Sequence, residues 1–146
     1  MPITMSEITP VGLCIATEDL FDTKRYRQNF CDNILLRVKD KGLDQYIIPL
    51  KKDLNNPVTQ KKFLEGHKAV IISNIDKIIA HAAARYAQLD YKEVESIVTE
   101  GKVLIKKILF AESFDQLGSL APTFKSKISL KVYSLFLESM KRSRMS

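Results

Sequence analysis

The sequence predicts an all-α fold: a bundle of four to five helices with a long central helix and a short N-terminal extended arm. Two stretches carry this expectation. Leu64, Ile71, Ile75, Ile78, Ala82, Tyr86 and Leu89 recur at steps of seven, four, three, four, four and three, which is the period of one helical face. Behind them, Val94, Ile97, Val98, Leu104, Ile105 and Ile108 keep the same period. The link between the two stretches is too short for anything but an antiparallel helical hairpin.

The totals agree with one soluble domain. A chain of 146 residues can bury most of its unfolded surface without staples. Its 45% hydrophobic and 27% charged residues suit a globular protein rather than a disordered or membrane one. No stretch approaches the length of apolar sequence needed to span a bilayer. Cys14 and Cys31 stand alone, with no CxxC or Cys/His grouping, so free thiols in a reducing compartment are expected. No basic segment precedes the apolar patch Val11–Ala16, which argues against a signal peptide. Cytoplasm, or a particle assembled there, is the expected location.

Residues 1–16 contain Pro2 and Pro10 and show no helical period. They read as an extended arm or a short edge strand over Val11–Ile15, which divides the chain into an arm (1–16) and a helical domain (17–146). Thr17, Glu18 and Asp19 look like a hydroxyl cap with acids in the first turn. Tyr26, Phe30, Ile34 and Val38 follow at four-residue steps up to Gly42, a natural C′ residue. Leu43, Ile47, Leu50 and Leu54 continue the spacing, but Pro49 interrupts it. One kinked helix and two fragments both fit.

Asn56-Pro57 starts the long helix, which would measure about 50 Å if unbroken to Leu89. Gly66 is its weak point. Asp90 with Glu93, and Ser113 with Gln116, have the spacing of capping boxes. The last helix spans Thr123 to about Arg142, with Phe124, Ile128, Val132, Leu135, Phe136 and Met140 on one face. Ile128, Leu130 and Val132 also alternate like a strand, but some 20 residues without a turn signal is too long for one.

Catalytic chemistry has little to stand on. There is no GxSxG, P-loop, HExxH or GxGxxG. The two histidines, His67 and His81, share a face of the long helix but lie about 21 Å apart along it. With Asn74 and Gln88 they form a polar flank, read as solvated or interface histidine, and no metal, cofactor or small-molecule substrate is inferred. Leu89–Leu109 has a faint helix-turn-helix pattern, yet the period runs through the supposed turn, so one continuous helix is expected.

Two features point to partners. The chain carries a net charge of +6, with basic clusters in the first and last helices. Lys24, Arg25, Arg27, Lys125, Lys127, Lys131, Lys141, Arg142 and Arg144 are the candidate phosphate contacts, through which DNA or RNA could be held by its backbone. Aromatic residues are not interleaved among them, which argues against base stacking. The other feature is a stripe opposite the bulky face of the long helix: Ala69, Ser73, Ala80, Ala84 and Ala87, with only Asp76 and Lys77 charged among them. An ordinary surface helix shows Lys and Glu there. The sequence therefore favours a non-catalytic protein acting by association: a homo-oligomer, or a partner-binding protein using helix faces and the arm. A nucleic-acid backbone-binding or packaging protein, such as a virion nucleoprotein, is the alternative. An enzyme with a dispersed site is third.

Overall fold

A computed structural model of the chain describes residues 10–22 and 57–145. The expected helical stretch from Tyr26 to Val38, the Pro49 segment, Cys31 and the basic residues Lys24, Arg25 and Arg27 lie outside the described residues. Among the described residues every regular element is helical and none is a strand. Helix α1 spans Pro10–Phe21, α2 Pro57–Tyr86, α3 Tyr91–Phe110 and α4 Phe114–Gly118. Helix α5 spans Ala121–Phe124 and runs through a π-helical turn, Lys125–Ser129, into α6, Leu130–Met145.

The bulky face of α2 is the floor of the core. Leu64, Ile71, Ile75, Ile78, Ala82 and Tyr86 are all buried, and Leu89 packs against them from the turn. Helix α3 lies antiparallel to α2. The link closes when Tyr86 O accepts from the amides of Leu89 and Asp90, each at 3.0 Å. Asp90 then caps α3, its carboxylate accepting from the Glu93 amide at 3.1 Å. Val94, Ile97, Leu104 and Ile108 of α3 complete that side of the core. Gly101 lies buried at the crossing, where an added Cβ would run into Ile79 Cδ1 and lie 3.0 Å from Ile79 Cγ1. The missing side chain is what lets the two helices approach.

The N-terminal segment corrects the expected extended arm. Residues 10–16 are helical, and the boundary placed at residue 16 falls inside α1. Pro10, at the first helical position, removes an amide that would have had no partner there. Cys14, Thr17 and Phe21 continue its buried face at helical spacing. Thr17 is no cap: it is fully buried, and its hydroxyl donates back to Leu13 O at 2.7 Å. A run such as Val11–Ile15 is too short for periodicity to separate strand from buried helix.

Ser113 caps α4 by accepting from the Gln116 amide at 3.1 Å, and Gln116 Oε1 accepts from the Glu112 amide at 2.7 Å. Phe124, Ile128, Val132 and Leu135 enter the core from the last helical run, with the Phe124 ring 5.2 Å from that of Phe21 of α1 and tilted 33° to it. The strand-like alternation at 128–132 resolves as helix: Ile128 and Val132 face inward and Leu130 outward.

The two helical glycines described above should respond oppositely to substitution. Gly66 has open space where a Cβ would go, so Gly66→Ala should stabilise the fold by about 1 kcal/mol in urea denaturation. Gly101→Val should destabilise it by about 2 kcal/mol or more, because the added atoms meet Ile79 and Ile75 in a packed core.

Candidate interaction surfaces

Helix α2 presents two different environments. On the core side, consecutive residues hold the ends of two neighbouring helices. The His67 ring is buried, and its Nε2 donates to Leu20 O at 2.6 Å, one residue before the end of α1. A carbonyl can only accept, so the proton sits on Nε2. Lys68 is 3% exposed. Its ammonium donates to Leu109 O at 2.9 Å and to Ala111 O at 2.8 Å, at the end of α3. The carboxylate of Glu65 lies 3.3 Å from the same nitrogen, one turn earlier.

This arrangement corrects the reading of His67 as solvated or interfacial. Helix α1 covers that flank, and the ring packs 5.9 Å from Phe114 on its other side. Burial lowers the His67 pKa below its ordinary value, with the Leu20 bond opposing the shift. Helical spacing could place His67 on a face but could not show that a helix begun at Pro10 would cover it. Lys68 was missed altogether, since nothing in a sequence marks a lysine whose partners are backbone carbonyls 41 and 43 residues away.

A second buried polar group lies where α1 meets the π turn. Burial pushes the Cys14 thiol up to about 12, against a smaller downward pull from the Ser129 hydroxyl. Tyr133 is likewise pushed up to about 12 by burial and by the charge of Glu18, to whose Oε2 its hydroxyl donates at 3.2 Å. A thiol held that high stays protonated near neutral pH and is a poor nucleophile or metal ligand. These groups fasten α1 to the last helical run.

The candidate phosphate contacts do not form one surface. Lys125 and Lys127 are exposed on the π turn, and Lys141 is exposed near the far end of α6. Lys131 is turned toward α3, where its ammonium donates to Ser96 Oγ. Arg142 pairs with Glu138 at 3.3 Å. The side chain of Arg144 lies outside the described residues.

Three residues of the small-residue stripe, Ala69, Ser73 and Ala80, line one groove, and Ala84 and Ala87 lie outside it. Ala69, Ser73, Ala80 and Ala84 are exposed and Ala87 is partly so. None of the described residues covers the stripe. Ala69, Ile72, Ser73 and Ala80 line an open groove of about 560 Å³, bounded by Leu109 at the end of α3 and by the charged side chains of Glu65, Asp76 and Lys77. Its lining is mostly apolar, and buried Lys68 forms part of it. No helix among the described residues is long and apolar enough to cross a membrane. No known protein family, curated protein or solved structure matches the chain.

Lys68→Met keeps the length of the side chain but strands the carbonyls of Leu109 and Ala111. It should cost about 2 kcal/mol in chemical denaturation. The neighbouring histidine predicts a pH effect. Its folded pKa lies below the ordinary 6.5, so the unfolded chain binds the proton first. Its contribution is complete above about pH 6.5 and declines as pH falls toward the folded value. Urea midpoints measured from pH 7.5 to 5 should fall for the wild type and fall less steeply for His67→Gln.

Proposed function

We propose that this chain is a non-catalytic protein that acts by association, assembling with itself or a protein partner through exposed helix faces. The observation that carries this reading is the α2 groove, a mostly apolar depression in which Ala69, Ser73 and Ala80 stand beside Ile72 and Leu109. A surface of that kind lets a second helix approach closely, whereas long charged side chains would keep it away. Exposed apolar surface gathered in one place is more informative than the same area scattered singly.

Contact with a nucleic-acid backbone is the second reading. It rests on Lys125, Lys127 and Lys141, which project outward from the last helical run. It has less support than association, because Lys131 and Arg142 from the same set are engaged within the chain.

Ala80→Glu and Ala84→Glu test the favoured reading. Both positions are exposed, so each variant should unfold within about 0.5 kcal/mol of wild type. Each should lower the association state seen by sedimentation velocity, because a buried unpaired carboxylate is costly at an interface. Variants that sediment like the wild type would remove the α2 face from the proposal.

A further inference from the structure

We infer that the outer face of α6 is a docking surface for an anionic bilayer, on which the helix lies without crossing it. The inference goes beyond the association reading and does not depend on it, since the residues lining the α2 groove all belong to α2 and α3.

One side of the last helical run belongs to the core, where Ile128, Val132 and Leu135 are buried. Leu137 follows Leu135 by two residues, about 160° around the helix, and is 65% exposed. Leu130 is 51% exposed and Met140 43%. The row Lys127, Leu130, Ser134, Leu137 and Lys141 is exposed at every position and runs for about 20 Å. Its spacing is that of any outward row and carries no information. Its composition does, because an outward row ordinarily holds charged and polar residues throughout. Here two leucines flank a serine in the middle, Met140 stands beside them, and a lysine closes each end. Single exposed leucines are common, whereas a gathered set marks a surface that meets something apolar.

Charge decides what that something is. From Ala121 to Met145 the run carries Lys125, Lys127, Lys131, Lys141, Arg142 and Arg144 against the single acid Glu138. That acid is already paired with Arg142 at 3.3 Å. A second copy does not fit. Laid antiparallel about Ser134, it sets Lys127 against Lys141 at both ends. Laid parallel, it sets each lysine against its own counterpart. A nucleic-acid backbone would satisfy the lysines but press the leucines against phosphates.

An anionic bilayer answers both chemistries in one plane. The leucine and methionine side chains enter the acyl boundary, while the long lysine stems carry their ammonium groups back to the headgroups. The apolar patch is only a few side chains, so the cations supply much of the affinity, about fivefold for each one near the surface. Binding is therefore reversible, confined to anionic lipid and weakened by salt.

The test mixes the full chain with extruded vesicles of phosphatidylcholine, with and without about one-third phosphatidylserine, and reads binding by flotation. The chain should float with the anionic vesicles and stay behind with the neutral ones. Leu130→Ser/Leu137→Ser removes the apolar middle at two exposed positions without altering charge, and should weaken binding about tenfold or more. Lys127→Ser/Lys141→Ser should weaken it about twentyfold. Circular dichroism checks the fold of each variant. The chain has no tryptophan, so Leu137→Trp supplies a single reporter that does not depend on the double variants folding. Its emission should shift to the blue on anionic vesicles. Failure of the wild type to float with anionic vesicles overturns the inference. A leucine variant that binds like the wild type also overturns it, since charge alone would then suffice, as does a tryptophan whose emission stays in place. No flotation, together with duplex DNA bound at the same salt, would give the face to a nucleic acid. No flotation, together with a sedimenting oligomer that Leu130→Ser/Leu137→Ser dissolves, would give it to a second copy.

Discussion

The carbonyls at a helix C-terminus have no partner within the helix, and here two such ends come together on one turn of α2. Helices α1 and α3 both run antiparallel to α2, so their electronegative ends meet its N-terminal half. His67 and Lys68 receive them there. Adjacent residues on a helix point about 100° apart, which lets consecutive side chains serve different neighbours. Without them the Leu20, Leu109 and Ala111 carbonyls would be sequestered without their present donors, and each such loss costs more than an ordinary hydrogen bond returns. The lysine adds a positive charge at the negative end of α3. Exposed Glu65 contributes less, because water screens that pair.

The rest of the packing depends on this anchoring. With the end of α3 held against α2, Gly101 lies at the helix crossing and Ile79 fills the space where a side chain would project. With the end of α1 held, Phe21 reaches Phe124, and Cys14 and Thr17 close over the π turn. The same turn of α2 also joins the two sides of the molecule: His67 is buried against α1, and Lys68, tied to the end of α3, lines the groove next to Ala69. The candidate docking face is therefore built partly from the ties that hold the core together.

Where periodicity and capping chemistry were strong, the fold was legible from residues alone. The bulky face of α2 buries as its spacing implies, and Asp90 and Ser113 both act as caps. The reading failed where tertiary packing overrides a local signal. Thr17 has the chemistry of a cap, but its buried environment makes it a core residue satisfied by the preceding turn. His67 lies on a polar stripe yet is buried, because its cover comes from a distant segment. The stripe Ala69–Ala87 was visible as a shortage of charge. The joining of its first half, Ala69, Ser73 and Ala80, with Ile72 and Leu109 into a groove depends on where α3 ends in space.

The π turn between α5 and α6 has a consequence for how the chain can change length. Phe124, Ile128 and Val132 stand four residues apart, so an α-helix would carry Val132 steadily away from the face set by Phe124. The wide turn absorbs that drift by holding one surplus residue. Removing an exposed residue such as Ser126 would convert it to an ordinary turn and leave both flanking halves in place. The same loss inside α2 or α3 would rotate everything beyond it by about 100° and move the core face into solvent. Among the described helices, the junction at 125–129 is thus where lineages of this fold could differ by one residue and keep the same core.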